Sequence, residues 1–515
     1  MNKIKFINAL LLFAIIVIYP FTGAFCQKHH PQETWEEKVK KDRARGIPLP
    51  ENHHEYRRSA KIEAIPDSDY LHASEAAHEA FRDIKFSIRI HWGVYVIDEL
   101  RESQGFLSLP NDKRQEYQNE YKIFNPTEFN AQGWMDLFKR SGIECMAFTT
   151  KHHDGFSMWH TKTRVARRMN FLDTANVIEP CDLAYSIEET PFKRDIVKEL
   201  CDAAHKNNIK IDLYYSHPDW YDADFRPHQN HPLGTPKYFS HPELYGTYGE
   251  WPPRIAMPEP TPEEIDHMMK RHREQLLELV SNYGKIDMIC FDGIISLDRW
   301  AEMKKTIKMI RQLQPDVMLR NRGINNYGDY YTPERVVPQN KEDTNMPWMV
   351  IYPLTPKWSY DSDASHYKGT PWIIHNIIDC AAKGGSFMVG TGPDKTGVFH
   401  PEAVRQLEET GKWLKVNGAG IYATRAREVW KENEVYFTRT KDHKKVFAFV
   451  EQWPGKEIVI PAVTPKKGSK IYLLGYKKAL KWSQSDTGIK VEIPDVLQSP
   501  ENRPCEHAWG FEITM

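Results

Sequence analysis

The residues with the most chemical reach in this 515-residue chain stand where apolar runs end. Asp292 closes the run MICF and is followed by Gly293. His91 and Trp92 follow SIRI, His152 and His153 follow AFTTK, Tyr214 and Tyr215 follow KIDL, and Arg320 and Arg322 follow VML. A carboxylate at the end of an apolar run is costly to bury unless it is paired or hydrogen-bonded. Asp292 could therefore be a nucleophile or an acid/base, or it could cap the next helix or pair with an arginine; spacing alone leaves these open. Imidazole donates and accepts at once, so the histidines suit a ligand rich in hydroxyls, while either of the adjacent pair could equally be a satisfied structural residue.

Several chemistries lack their motifs. There is no GxSxG nucleophile elbow, no HExxH, and no GxGxxG or GxxxxGK[ST] phosphate turn. Adjacent residues on a strand point to opposite faces, so His152 and His153 are not expected to share a metal ion. No cofactor is implied.

The elements that must carry these residues alternate between short apolar runs and longer amphipathic ones. KFSIRIHWG, IECMAFTTKHH, IKIDLYYSH, KIDMICFDG, DVMLRNRG and SFMVGTGP read as strands. The segments near 131–142, 192–208, 262–283, 297–313, 371–385 and 401–418 read as helices. A repeated strand–helix pattern over some 350 residues predicts a parallel sheet, open or closed into a (β/α)₈ barrel, and in a barrel polar residues gather at the C-terminal ends of the strands. After Gly418 short alternating segments joined by turn residues predict an antiparallel β-sandwich. The expected organisation is a leader over 1–26, a polar arm over 27–73, a (β/α)₈-like catalytic domain over 74–424 and a β-sandwich over 425–515.

The formal charge is −1 and the pI about 7.1, a balance that argues against the clustered basic footprint of a protein that binds nucleic acid or an anionic membrane surface. Fifteen tryptophans, 24 tyrosines and 22 histidines suit a site that stacks on an apolar ring face and bonds hydroxyls, although many must simply fill the core. The start MNKIKFINALLLFAIIVIYPFTGAFCQ reads as a secretory leader cut before Gln27, placing the protein in the periplasm or outside the cell. Phe25 argues against lipidation at Cys26. No later run is long enough for a membrane span. The six remaining cysteines are sparse, without CxxC spacing, and are expected mostly as free buried thiols.

KFSIRIHWGVY, SGIECMAFTTKHHDGFSMW, DLYYSHPDW, KIDMICFDG, GDYYTPE, KWSYDSD, KGGSFMVGTGPDKTG and GKWLKVNGAGIYAT together resemble the α-L-fucosidases of glycoside hydrolase family 29, over roughly residues 75–425. The resemblance implies a (β/α)₈-like barrel with a C-terminal β-sandwich, and release of terminal α-L-fucose from fucosylated oligosaccharides with net retention. It implies Asp292 as nucleophile. It assigns His91, His152, His153 and Tyr215 to the fucose hydroxyls, Arg320 or Arg322 to the site, and Trp92 and Trp348 to the walls.

The acid/base departs from the family pattern, because Met349 in MPWMV stands where a PWE-type glutamate is expected. Glu334 in TPERVVPQ is the first candidate, Glu342 the second and Asp343 the third. The stretch after HWGVY lacks the aromatic EW pair of relatives, so the pocket rim is rebuilt. Two alternatives follow: the same chemistry on a related sugar such as α-L-galactose, or a sugar-binding protein without its acid. The sequence carries no signal for oligomeric state.

Overall fold

The computed structural model describes Glu63 and residues 66–515, except 174, 228–230, 235–254, 296, 340 and 342–345. The leader, most of the polar arm, Glu342 and Asp343 lie outside the described residues.

Seven parallel strands form one curled sheet: β1 Phe86–Ile90, β2 Cys145–Lys151, β3 Lys210–Ser216, β4 Met288–Asp292, β5 Met318–Leu319, β6 Met349–Pro353 and β7 Ser386–Thr391. Their order is β6-β7-β1-β2-β3-β4-β5. The gap between β5 and β6 is closed by an irregular stave, residues 330–334. Tyr330 bridges to Arg320 on one side, and Tyr331 and Glu334 bridge to Trp348 and Ile351 on the other. Pro333 lies within it and cannot donate to a ladder, which limits the stave to isolated bridges. The fold is thus a TIM-type barrel with seven regular strands. Strand β6 is absent from the sequence-based assignment, because MVIYP is a short apolar run closed by proline.

Helices cover the outside, and their ends are written locally. Helix Pro262–Ser281 starts at Thr261 with a complete capping box to Glu264 and proline in its first turn. Helix Ala131–Arg140 is capped by Asn130, and helix Ile196–Asn207 by Asp195. The latter ends on Asn208 in the left-handed conformation.

Alternation along the strands separates two faces. Ile88, Ile90, Phe148, Ile211, Leu213, Ile289 and Phe291 belong to the large core under the helices. The opposite parity faces the barrel interior, whose lower end is filled by Cys145, Ala147, Met288, Met318, Met349 and Met388 and plugged by Phe81 and Ile84 from helix Glu75–Asp83 and its C-cap.

From Arg425 onward a five-stranded antiparallel sheet packs face to face on a three-stranded one (Glu457–Pro461, Gly488–Glu492, Trp482–Gln484). Phe437, Ala448 and Phe511 from the first sheet share one core with Ile460, Ile489 and Val491 from the second. The sandwich is fastened to the barrel by Arg425, which pairs with Asp83 at 2.8 Å, and by Trp413, whose indole N–H donates to Ala508 O at 2.8 Å. All six described cysteines are free. Among the described residues no helix is long and apolar enough to cross a membrane.

Candidate active site

At the C-terminal rim of the barrel, Asp292 ends β4 at an inward position with its side chain 14% exposed. Gly293 takes φ of +76° and turns the chain away, donating its N–H to Asp292 Oδ1 at 2.9 Å. Tyr214 donates its hydroxyl to Oδ2 at 2.6 Å, Arg322 Nη1 lies 2.7 Å from Oδ1, and His153 Nε2 stands 3.4 Å from Oδ2. Burial pushes this carboxyl up, but the Arg322 guanidinium and His153 prevail and hold it well below the usual carboxylate range. Asp292 is therefore an ionised, oriented carboxylate.

Glu334 enters from the irregular stave. Its Oε1 lies 2.6 Å from Arg322 Nη1 and 3.0 Å from Arg320 Nη2. One nitrogen thus touches both carboxylates, which brings their nearest oxygens within about 5.3 Å of each other. Both arginines of the RNR stretch participate: Arg322 joins the two acids, and Arg320 supports Glu334 from a fully buried position.

The histidines converge. Strand β2 ends at Lys151, so the two-residue alternation expected to send His152 and His153 to opposite faces no longer applies. Their ring centroids are 4.6 Å apart. His152 stacks on Tyr214 at 5.3 Å with an interplanar angle of 8°, and its Nδ1 is hydrogen-bonded to Ser103 Oγ at 2.5 Å. His153 leans on Trp220 at 5.0 Å. His91 follows β1 and sits 5.6 Å from His152 and 5.2 Å from Trp358. Burial first, then Arg89, holds His91 well below its ordinary range, while burial and the neighbouring histidines do the same to His152, so both rings are neutral. His91 Nδ1, His153 Nδ1 and Trp220 Nε1 are buried without a hydrogen bond to any described residue. Such a set of ring nitrogens can hold hydroxyl groups.

Three expected residues are not brought to this cluster. Tyr215 points outward, donating to Gln275 Oε1 at 2.8 Å and accepting from Lys151 Nζ at 3.0 Å; its neighbour Tyr214 is the inward one. Trp92 is 1% exposed, packs among Phe124, Phe129 and Trp134, and donates to Asp394 O. Trp348 precedes β6 at the lower end of the barrel, with its ring against Gly385, where an added Cβ would fall 2.3 Å away. Met349 is beside it in the barrel-floor core. That end is opposite the rim, so the lack of a carboxylate at 349 has no bearing on the acid/base.

Tyr214, marked in the sequence as a strand-end residue but not assigned to the site, completes the cluster together with residues missed in the sequence: Trp220, Ser103, Trp358 and Glu102. Parity in KIDLYY could have found Tyr214, since Asp212 and Tyr214 alternate with Ile211 and Leu213. Asp212 pairs with Arg89 at 3.5 Å inside the barrel, and Arg89 lies 5.3 Å from the Tyr214 ring, forming a charged layer beneath the rim. Glu102 is 1% exposed, with Arg101 Nε at 3.4 Å, and burial pushes its carboxyl up to about 7.

Behind the histidines, Asp219 accepts the N–H groups of Tyr221 and Asp222 and pairs with Arg271 at 2.5 Å and Lys151 at 3.6 Å. A Cβ at Gly155 would fall 2.1 Å from this carboxylate, so the loops carrying His153 and Trp220 are locked together there. Asp222, Asp224 and His267 also lie within reach of one point, but Arg271 and Arg167 already neutralise the carboxylates.

A profile described as alpha-L-fucosidase matches residues 53–419, and one described as the alpha-L-fucosidase C-terminal domain matches 430–514. The chain belongs to the alpha-L-fucosidase family. It is 25% identical to the plasma alpha-L-fucosidase of Rattus norvegicus, over 84% of this chain and 90% of that one. Among solved structures, alpha-L-fucosidase isoenzyme 1 from Paenibacillus thiaminolyticus superposes with a TM-score of 0.66 at 23% identity, covering 85% of this chain and 99% of that one. A Bacteroides thetaiotaomicron alpha-L-fucosidase, described as a covalent intermediate trapped with 2-fluoro-fucosyl fluoride, superposes with a TM-score of 0.67 at 23% identity, covering 88% and 98%.

Proposed function

We propose that this fucosidase-family chain is an exo-acting, retaining α-L-fucosidase in which Asp292 is the nucleophile and Glu334 the acid/base. The observation that carries the reading is the shared Arg322 nitrogen, which keeps the nearest oxygens of the two carboxylates no more than about 5.3 Å apart, short of the roughly 6.5–9.5 Å of inverting enzymes. Retaining glycosidases hold theirs about 5 to 5.5 Å apart, too close for a water to attack between them.

In the first step Asp292 attacks the anomeric carbon, and Glu334 gives its proton to the leaving oxygen. Arg322 and Tyr214 orient the attacking carboxylate, as a near-attack geometry requires. In this reading Glu334 enters the cycle protonated, and Asp292, oriented by Arg322 and Tyr214, enters it charged. Having given that proton to the leaving oxygen, Glu334 is a carboxylate while Asp292 is an ester; it takes a proton from the incoming water as the water oxygen bonds to the anomeric carbon and Asp292 leaves. Neutral His91 and His152, with His153, supply hydrogen bonds to ring hydroxyls that strengthen as positive charge develops on the sugar. Trp358 is the aromatic wall.

The test is labelling with 2-fluoro-fucosyl fluoride followed by peptide mass mapping. The expected adduct is on Asp292, and Asp292→Asn is expected to lose at least about a thousandfold in kcat on 4-nitrophenyl α-L-fucoside, the scale of a nucleophile's removal. An adduct on another residue removes the assignment of Asp292, and full turnover by Asp292→Asn removes the mechanism.

A further inference from the structure

We propose that Arg101 and Arg335 form a subsite for an oxyanion, a sulfate ester or a carboxylate, on the sugar that leaves. This rests on the fucosidase reading above and extends it to a class of substrate.

Location comes first. Glu334 protonates the leaving oxygen in that reading, so the side chains on its far side from Asp292 face the leaving group. Arg335 is the next residue, and it adopts φ of +58°, a conformation that side-chain-bearing residues enter at a cost and that recurs where position serves function. Its guanidinium lies 4.6 Å from the Trp358 ring centroid, and Trp358 in turn lies against His91. One Arg335 nitrogen donates to Pro356 O at 3.1 Å. Arg101 is fastened to the same loop, because its carbonyl accepts the N–H groups of Trp358 and Ser359 at 3.2 Å each. Its own side chain is 56% exposed.

Charge comes second. Burial and then the Arg101 charge push the Arg335 guanidinium below its ordinary value. Lys368 on the same flank is pushed to about 8 by burial and by Arg335. Two acids face the pair: Glu334 is held by Arg320 and Arg322, while Glu102 lies 3.4 Å from Arg101 Nε and is pushed by burial up to about 7, so it offsets the two positive charges only in part. Like charges held together in a partly buried site are unfavourable until an anion joins them. Guanidinium is the group whose planar fork matches sulfate and carboxylate oxygens.

The test uses the full chain and aryl α-L-fucosides with phenols of matched acidity carrying a sulfonate, a carboxylate or a neutral carboxamide. The readout is the ratio of kcat/KM for an anionic over the neutral substrate within one enzyme, so general effects of a substitution cancel. The expected ratio in the wild type is about tenfold or more at low salt, falling as salt screens the charges. It is expected to fall to about one in Arg101→Gln/Arg335→Gln and to be partly kept in Arg335→Lys. A ratio near one in the wild type, or a preference surviving in the double variant, overturns the proposal; the sulfonate and carboxylate arms distinguish the two anions. Turnover of the neutral substrate reports separately on the fucosidase reading. If no fucoside is turned over, calorimetry with galactose 6-sulfate against galactose decides the subsite. Tighter binding of the sulfated sugar by the wild type but not the double variant supports it, and equal binding overturns it.

Discussion

Asp292 depends on one hydroxyl chosen from two adjacent tyrosines. Tyr214→Phe removes a 2.6 Å bond to a charged carboxylate, a loss of about 1.5–3 kcal/mol, and is expected to lower kcat/KM on an aryl fucoside by roughly 10- to 100-fold. Tyr215→Phe removes bonds to Lys151 and Gln275 on the outer face, and is expected to lower the melting temperature while leaving KM within about twofold. Steady-state kinetics and thermal denaturation on both variants check the pair of outcomes, and the reverse pattern would restore Tyr215 to the site. Glu102 makes a second prediction. Its folded pKa is raised from 4.5 to about 7, so it favours the folded state below about pH 4.5, and that advantage is lost as pH rises through 7. The shift amounts to about 3 kcal/mol. Glu102→Gln does not titrate, so its stability relative to the wild type is expected to rise by up to about that amount between pH 4.5 and 8 in denaturant melts. A difference that stays constant with pH would show that burial does not hold the proton.

At the scale of elements, the two ends of strand β6 have different work. Its lower end, with Trp348 and Met349, is core, and the loop beyond its upper end carries Trp358 to the rim. Trp348→Ala is expected to cost about 3–5 kcal/mol of stability, the usual range for truncating a buried tryptophan, with KM for an aryl fucoside unchanged. Trp358→Ala is expected to raise KM with a smaller stability loss. Denaturant melts set beside kinetics separate the two, and a KM effect at Trp348 would contradict its placement. The irregular stave 330–334 shows why the proposed acid/base, Glu334, was hard to place from sequence. A strand broken by Pro333 has no period to read, so nothing local says which side Glu334 faces. The barrel edges on both sides decide that, through the bridges from Arg320 and Ile351.

Across the whole molecule, buried titratable groups oppose one another. Burial pushes the carboxyls of Glu102, Glu144 and Asp154 up to about 7 and that of Glu120 up to about 9, so the folded state keeps protons that the unfolded chain releases above about pH 4.5. Burial likewise lowers His91, His152, His217, His231 and His272, so the folded state lacks protons that the unfolded chain binds below about pH 6.5. Stability falls with rising pH through the first set and with falling pH through the second. Between about pH 4.5 and 6.5 the slopes largely cancel. Below 4.5 the histidines act together with carboxyls held low by their partners, among them Asp219, Asp224, Asp292 and Asp329, all in the destabilising direction. The melting temperature is therefore expected to be nearly level from about pH 5 to 6.5 and to drop steeply below 4.5; differential scanning calorimetry across that range checks it, and a steady slope through pH 5–6.5 would contradict the balance. The sequence by itself determined the strand–helix repeat, the sandwich that follows it, and which residues stand at strand ends, because periodicity and capping are local. That was enough to single out Asp292 and the histidines. Tertiary structure decided what lies across space: that Tyr214 rather than Tyr215 faces Asp292, that Trp92 and Trp348 are core, and that Glu334 meets Asp292 through Arg322. Each of these depends on how a curled sheet brings separate strand ends to one rim, and no single segment encodes that.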